Sequence, residues 1–186
     1  MAPQTTARLT YEDYLELPDD GKHYELIEGE LILNPAPVPR HQLIALSVAA
    51  ELHAYRRQHG GGRALAAPID VVLAEDVVVQ PDAIFIRAER MSIISDKNIQ
   101  GAPNLVVEVL SDSTRRRDEI VKRKLYERFG DDEYWIVDPA IDTVKIYRRI
   151  GGAFVRTAEI SSETGGRITT PLLPGFTLDV AVIFDL

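Results

Sequence analysis

The sequence predicts an α+β (mixed α/β) domain with one central mixed sheet flanked by two long helices. One long segment carries apolar residues at helical spacing, a second is a strongly basic helix, and glycine follows each of them. Most of the remaining chain consists of short apolar runs separated by turn residues, which is typical of strands. The order of helix, hairpin, helix, strands, helix and strands favours one sheet covered by helices. The 186 residues are enough for one domain with a substantial core.

The N-terminal elements are a flexible segment, a short helix and a hairpin. We expect residues 1–9 to be flexible and residues 10–186 to form a single domain. Thr10 is suited to cap the short helix, which Pro18 ends. The apolar run from Tyr24 to Leu33 is interrupted by Gly29, which predicts an N-terminal hairpin or a bulged strand.

The elements that follow alternate between helices and strands. Three prolines between Asn34 and Pro39 predict a loop. The long helices are predicted at 40–59 and 115–129, and the main strands at 64–73, 83–87, 104–110, 133–138, 143–149 and 154–160. The last of these are expected to be additional antiparallel strands at the C-terminal end of the domain.

The composition excludes several classes of protein. Hydrophobic residues make up 45% of the chain and charged residues 27%, which is ordinary for a folded globular protein. With no cysteine, disulfides, thiolate metal sites and cysteine nucleophiles are excluded. The net charge of −8 argues against a high-affinity, non-specific DNA-binding protein. Residues 1–8 lack an apolar signal segment, and no apolar run would span a bilayer, so we expect a cytoplasmic protein.

One short segment is nevertheless strongly basic. Between Arg115 and Lys124, six lysines and arginines stand against two acidic residues, a local charge of six minus two, or +4. The candidates for contact with nucleic acid are Arg115, Arg116, Arg117 and Arg123. The alternative is that these arginines form a solvated start of the helix, although positive charge there is mildly unfavourable against the helix dipole.

Glu108 is the first sign of a site, because it interrupts the apolar run from Leu105 to Leu110. A carboxylate buried among valines and leucines is costly unless a cation, a metal or several hydrogen bonds compensate it. The alternative is an ion pair with an arginine of a neighbouring strand. Asp82, which follows Pro81 between two strand-like runs, is either a turn residue or a second carboxylate of the same site.

The helix after Glu108 offers a matching set of polar side chains. Asp118, Lys122 and Tyr126 are each four residues apart and therefore lie on one helix face. Carboxylates from two neighbouring strands form an oxygen-rich site of the kind that Mg²⁺ or Mn²⁺ prefers. A nearby lysine is suited to position water or to balance the charge of a phosphate.

These residues resemble a known superfamily. Pro81-Asp82 followed by Glu108-Val109-Leu110 resembles the PD-(D/E)XK nuclease signature. The wider pattern is similar to the Uma-two family of restriction-endonuclease-like proteins over about residues 10 to 180. That pattern consists of Tyr24 to Glu30, His41, Glu108 to Ser111, Asp118, Lys122, Tyr126 and Glu133 to Pro139. The resemblance implies a restriction-endonuclease-like fold and metal-dependent hydrolysis of DNA phosphodiester bonds.

The resemblance also implies roles for individual residues. Asp82 and Glu108, with the carbonyl of Val109, are the implied ligands of Mg²⁺ or Mn²⁺. The superfamily's usual lysine follows the glutamate by two residues, where this chain has Leu110. The implied replacement is Lys122 on the following helix, which acts on the attacking water. Lys124 points about 200° away around an ideal helix and is therefore less suitable.

Further side chains are candidates for a supporting role. They are Glu25, Glu28, Asp118 and Tyr126, with Glu25 or Glu28 as a further carboxylate from the hairpin. Asp70, in an apolar strand, is a candidate for supporting the site from behind. The sequence favours a capping or surface role for His41 over a ligand role.

Three hypotheses of different classes remain open at this point. The leading one is a magnesium-dependent endonuclease. The second is a catalytically inactive protein that binds nucleic acid or protein on the same fold, and the third is an interaction module with an acidic surface. DNA is the expected partner, and a homodimer is a candidate assembly because cutting both strands commonly needs two active sites.

Overall fold

The computed structural model describes residues 8–185. Its helices are α1 (Tyr11–Leu15), α2 (Pro39–His59), α3 (Arg123–Phe129) and α4 (Val180–Phe184), with a 3₁₀ helix at Ala88–Ile93 and a π-helical segment at Arg117–Lys122. Its strands are β1 (His23–Ile27), β2 (Glu30–Asn34), β3 (Gly62–Ala66), β4 (Val71–Ala74), β5 (Val77–Val79), β6 (Ala83–Arg87), β7 (Ile99–Gln100), β8 (Leu105–Val109), β9 (Glu133–Asp138), β10 (Thr143–Ile150), β11 (Ala153–Ser161), β12 (Arg167–Thr169) and β13 (Thr177–Asp179).

A six-stranded mixed sheet with the order β11-β10-β9-β8-β6-β3 forms the centre of the fold. Strands β8 and β9 are parallel, while β6 runs antiparallel to β8. The segment that connects the two parallel strands contains the π-helical segment and α3, as a parallel pair requires a crossover connection. The predicted mixed sheet flanked by helices is therefore confirmed.

The alternation of side chains along β8 divides the core between the two faces of the sheet. Leu105 and Val107 pack with Ile44 and Leu52 of α2 on one face. Val106 and Leu110 pack with Leu125 and Tyr126 on the other face, together with residues of a second sheet. Successive residues of a strand point to opposite faces, so Glu108 shares the second face with Val106 and Leu110.

The second sheet has the order β2-β1-β5-β4-β7 and includes the predicted N-terminal hairpin, β1 with β2. The single strand predicted at 64–73 is wrong: β3 joins the central sheet and β4 joins the second sheet. Pro68 lies between them and has no backbone N–H to donate to a strand partner. The additional antiparallel strands near the C-terminus, β10 to β13, are confirmed.

At the N-terminus, residues 1–7 lie outside the described residues, and so does most of the segment predicted to be flexible. Leu9 belongs to that segment but donates a backbone hydrogen bond to Gly29 at 3.0 Å. The capping role of Thr10 is confirmed, with a reciprocal pair of hydrogen bonds to Asp13. Among the described helices, none is both long enough and apolar enough to cross a bilayer.

Candidate active site

The two carboxylates predicted from the strands lie at the same end of two adjacent strands, β6 and β8, of the central sheet. Ala83 at the start of β6 pairs with Val107 of β8, so Asp82 lies beside the end of β8 that carries Glu108. The amide N–H of Val109 donates to Asp82 Oδ2 at 2.7 Å. Asp82 is therefore held to β8 itself and does not act as an isolated turn residue.

Lys122 lies at the centre of a buried cluster of carboxylates. Its Nζ is 2.8 Å from Glu108 Oε1, 2.7 Å from Glu25 Oε1 and 3.6 Å from Asp118 Oδ1. The hydroxyl of Tyr126 donates to the same Oε1 of Glu108 at 2.7 Å. The expected contact between the helix lysine and Glu108 is therefore present.

The neighbouring residues explain why the cation comes from the helix. Leu110 is buried in the apolar layer between the central sheet, α3 and the second sheet. A lysine at that position would take its charge into this layer. Lys122 reaches Glu108 from the helix that covers the same face, whereas Lys124 is exposed. The predicted preference for Lys122 over Lys124 agrees with these positions.

A π-helical segment shapes the helix where it meets the carboxylates. The N–H of Arg123 donates to the carbonyl of Asp118, five residues earlier, and the hydroxyl of Tyr134 donates to the same carbonyl at 3.1 Å. A π turn holds one more residue than an α-helical turn. Arg117 and Lys122 therefore lie about one wide turn apart. Both face the carboxylates of the neighbouring strands, and so does Asp118.

The cluster holds more carboxyl groups than cations. Its two cations are Lys122 and Arg117. Around them lie four carboxyl groups, those of Glu25, Asp82, Glu108 and Asp118.

Burial raises the pKa of Glu108 well above its usual value, and Lys122 offsets this only in part. Burial likewise raises the pKa values of Asp82 and Asp118. For Lys122, burial opposes the charge, but Glu108, Glu25 and Asp118 raise its pKa and keep the ammonium protonated. A protonated lysine is an electrostatic group and not a general base.

Glu25 is held as an ionised member of the cluster from β1. Burial opposes its charge, but Lys122 and the amide N–H of Gln80 lower its pKa below the usual value. That N–H donates to Glu25 Oε1 at 2.8 Å. The side chain of Gln80 donates to Asp70 at 2.7 Å, and Tyr14 donates to the same Asp70 oxygen. Asp70 is thus linked through Gln80 to Glu25, and its supporting role at the site stays a prediction.

His41 is the main residue whose position differs from the one that the sequence predicted. It is 9% exposed, and its Nε2 lies 2.9 Å from the carbonyl oxygen of Val109 and 3.5 Å from Asp82 Oδ2. The predicted capping or surface role is therefore wrong, because the first turn of α2 packs over the end of β8. Its place at the start of a long helix and in the pattern that resembles the Uma-two family marked it, but neither signal gave its contacts.

An open cleft with a volume of about 690 Å³ exposes part of this cluster. Its wall is formed by three loops and the polar residues at the end of β8. The loops are 34–38, 67–68 and 111–115, and the polar side chains include His41, Asp82, Glu108, Asp118 and Lys122. Buried groups that open onto a concave surface of this size are typical of a binding or catalytic site.

Several candidate residues make other contacts. Glu28 is half-exposed in the turn between β1 and β2 and pairs with Arg128 at 2.8 Å, so the carboxylate from the hairpin is Glu25 and not Glu28. Both terminal nitrogens of Arg115 donate hydrogen bonds to the carboxylate of Asp138. Arg123 donates to the carbonyl of Glu119 and stacks on Tyr147.

Arg117 also faces the interior and not the solvent. It donates to Asn34 Oδ1 at 2.6 Å and lies 3.7 Å from Glu25 Oε2. Arg116 remains exposed. The basic helix is therefore used largely for internal pairing. Sequence reasoning missed this because each partner, Asn34, Asp138 or Tyr147, comes from a distant part of the chain.

The donor set is compatible with a hard divalent cation. One oxygen each of Asp82 and Glu108 accepts protein hydrogen bonds, and the other oxygen accepts none within residues 8–185. In that same range, no three His, Asp or Glu side chains already form a metal-binding group. Mg²⁺ is commonly held by one or two carboxylates and several waters. Two carboxyl groups with free oxygens, in a cluster with more carboxyl groups than cations, fit that requirement.

Comparison with known proteins identifies the family. The family model Uma2, described as "Putative restriction endonuclease", matches residues 11–181. The chain belongs to the Uma2 family. A crystal structure described as "a putative nuclease belonging to DUF820" from Anabaena variabilis has a TM-score of 0.80 to this Uma2 chain. It is 21% identical and covers 95% of this chain and 98% of its own, which shows a shared fold. Comparison with curated proteins yields no match.

Proposed function

We propose that this Uma2 protein is a metal-dependent endonuclease that hydrolyses phosphodiester bonds of DNA in the cleft. The observation that carries the proposal is the contact of Lys122 with Glu108, beside Asp82 on the neighbouring strand. This arrangement resembles a PD-(D/E)XK site in which the lysine has moved to the following helix. Membership of a family described as restriction endonucleases supports the same reaction class.

The proposed cofactor is Mg²⁺ or Mn²⁺, held by Asp82, Glu108 and the carbonyl of Val109. When bound, the ion supplies Lewis-acid stabilisation of a phosphate oxygen and activation of water. Lys122 remains charged and stabilises the negative charge that develops on the phosphate. Tyr126 and Glu25 hold Glu108 and Lys122 in position, because each donates or accepts a hydrogen bond within the cluster.

A catalytically inactive binding protein is the second candidate, and one observation favours it. Three carboxylates surround Lys122, so in this arrangement its charge is already compensated. A lysine in an active phosphodiesterase must have charge left to interact with the phosphate. In the endonuclease proposal, Glu108 would share its negative charge with the divalent cation that it helps to hold, which would leave Lys122 charge for the phosphate.

The experiment is cleavage of single- and double-stranded DNA by purified protein, with Mg²⁺, Mn²⁺ or EDTA. We expect cleavage with either metal, none with EDTA, and a loss of at least about a hundredfold in Asp82→Ala and Glu108→Ala. Asp96→Ala is the matched control, since Asp96 is exposed and does not line the cleft. Undiminished cleavage by both site variants contradicts the residue assignment. Metal binding without hydrolysis of any substrate supports the second candidate.

The proposed assembly is a homodimer, since cleavage of both strands of a duplex commonly uses two active sites. The test is sedimentation velocity of the protein with and without a duplex oligonucleotide. A monomer under both conditions, with double-strand cleavage retained, contradicts the dimer and leaves the chemistry of the site unaffected.

A further inference from the structure

We propose that the substrate of the cleft is an unpaired strand of DNA, whose bases lie against an apolar loop, the proline wall (residues 34–38). This inference rests on the proposed function, because it names the form of DNA that the same site takes. Its basis is the distribution of groups around the cleft. The cations that contact the carboxylates are buried, and the loop that borders them is apolar and exposed.

Hydrogen bonds hold the proline wall at the site on both sides. It connects β2 to α2 and lines the cleft. At its start, Asn34 Oδ1 accepts from Arg117 at 2.6 Å. Just after its end, His41 Nε2 in the first turn of α2 lies 2.9 Å from the carbonyl oxygen of Val109. A strand of nucleic acid that reaches the carboxylates therefore passes beside this loop.

The side chains of the proline wall suit a base and not an anion. Pro35, Ala36, Pro37 and Val38 are all exposed, and Val38 is 63% exposed. Proline has a fixed φ and no backbone N–H. The loop is therefore stiff and has few amide donors for a phosphate, while its apolar surface matches the flat face of a base.

The exposed charges around the cleft give little support to a second row of phosphates. Arg40 and Arg115 line the cleft, but each is in an ion pair at 2.8 Å, with Asp142 and Asp138 respectively. Asp112, which also lines the cleft, is exposed and acidic. The less exposed cations, Lys122 and Arg117, are thus left for the phosphate that enters the cleft.

This arrangement favours an unpaired strand over a duplex. A duplex carries one negative charge per about 1.7 Å of its axis and hides the faces of its bases in the stack. It would bring phosphates against proline rings and an exposed carboxylate. An unpaired strand offers its base faces to the protein. The cleft volume of about 690 Å³ is also typical of a pocket for a small molecule, about one or two nucleotides in size.

The first test is DNA binding in EDTA, measured by fluorescence anisotropy with three labelled ligands of equal length. They are an oligothymidylate, the same chain with abasic sites in place of all bases, and a duplex. We expect the oligothymidylate to bind about tenfold or more tightly than either of the others, because bases in contact with the protein add affinity that phosphates alone do not. One strand needs one active site, so this expectation is the same for a monomer and a dimer.

Val38→Asn tests whether the proline wall is the contact. Val38 is the N-cap residue of α2 and makes no capping hydrogen bond. Asparagine is favoured at this position, so the variant keeps the helix and loses the apolar surface. We expect the advantage of the oligothymidylate over the abasic chain to fall below about threefold. Leu46→Asn is the matched control, because Leu46 is 65% exposed on the same helix and does not line the cleft, and it should keep the full advantage.

The second test is cleavage, with Mg²⁺, of a hairpin oligonucleotide that has a paired stem and a loop of thymidines. We expect cuts in the loop and none in the stem. Equal binding of the oligothymidylate and the abasic chain by the wild type, or cleavage of the stem at least as fast as of the loop, overturns the inference and leaves the endonuclease proposal standing. A full advantage retained in Val38→Asn overturns the role of the proline wall. If the wild type neither binds nor cuts any of these ligands, the proposed function fails as well.

Discussion

Lys122 is a buried cation whose charge depends on its neighbours. It is 3% exposed, and three carboxylates within 4 Å hold its pKa above the usual value. Removing one partner of a buried ion cluster leaves uncompensated charge in a region of low polarity. The lysine therefore contributes to the stability of the fold as well as to the proposed chemistry.

Replacement of this lysine has a predicted effect on stability. Lys122→Met should lower the free energy of unfolding by about 3 kcal/mol or more at pH 7 without metal, because Glu25, Glu108 and Asp118 lose their common partner. Urea denaturation measures it. Lys124→Met, at an exposed position two residues away, should change stability by less than about 0.5 kcal/mol. Equal losses in both variants would contradict the central position of Lys122.

Asp131 is a second buried carboxyl, outside the cleft. It is 0% exposed, and neither carboxyl oxygen has a hydrogen-bond partner in the described part of the chain. Burial raises its pKa well above the usual value, and the attraction of Arg90 and Arg149 offsets this only in part. The folded state thus retains a proton that the unfolded state releases above its pKa of about 3.9.

This difference predicts that replacing Asp131 stabilises the fold by an amount that depends on pH. As the pH rises from about 4, the unfolded chain releases the Asp131 proton first, so the wild type loses stability. Asp131→Asn has no such proton and should unfold at a higher temperature than the wild type, with a gain that grows toward neutral pH. Thermal denaturation at pH 4 to 8 measures this gain. A gain that is constant or shrinks as the pH rises would show that Asp131 is not held protonated.

At the scale of elements, the helix after β8 is tied to β9 just before its π-helical segment and again near the start of that segment. Before the segment, Arg115 binds Asp138 at the end of β9, and within it the carbonyl of Asp118 accepts from Tyr134 of β9. These contacts set the rotation of the helix over the sheet. That rotation points Asp118 and Lys122 at Glu108.

The pair of Arg115 and Asp138 has a predicted pH dependence of the opposite sign. The hydrogen bond from Arg115 lowers the pKa of Asp138, so the pair stabilises the fold above the unfolded value and loses this effect as the pH falls through the folded value. A double-mutant cycle of Arg115→Gln and Asp138→Asn should give a coupling energy of about 1 kcal/mol at pH 7. The coupling should fall toward zero in acid, and a coupling that persists at pH 2 would contradict this assignment.

At the scale of the whole molecule, the charge distribution limits how DNA is held. The chain has a net charge of −8, and Arg115, Arg117 and Arg123 are used in internal contacts. Few cations of the basic segment 115–124 are therefore left to replace the counterions of a phosphate backbone. If the proposed metal-dependent function holds, we expect DNA to bind through the cleft with modest dependence on salt.

The salt dependence of DNA binding measures how many cations of the protein contact the phosphate backbone. In EDTA, the slope of log K against log salt should be smaller than about 3 in magnitude, because each phosphate contact contributes about 0.9. Fluorescence anisotropy with a labelled oligonucleotide at 50 to 200 mM NaCl gives the slope. Arg116→Gln, at the exposed arginine, should reduce it by about 1. A slope of 6 or more would show that the basic helix binds the backbone after all.

Local patterns in the sequence were sufficient to predict many features. The apolar run around Glu108 predicted a buried strand, and the four-residue spacing of Asp118, Lys122 and Tyr126 predicted a common helix face. Both depend on chain geometry within one element, which sequence periodicity reports. The cost of burying Glu108 predicted a cation, a metal or several hydrogen bonds nearby, and Lys122 is such a cation.

Only the tertiary structure decided which side chains from distant elements complete the cluster. Glu25 and not Glu28 reaches Lys122, His41 meets the end of β8, and three of the four candidate arginines are paired internally. These choices depend on strand register between two sheets and on the rotation of a π-helical segment. A shift of one residue in register reverses the face of every side chain in a strand. The sequence by itself therefore determined the kinds of group at the site, and the packing of the sheets and helices determined which of them meet.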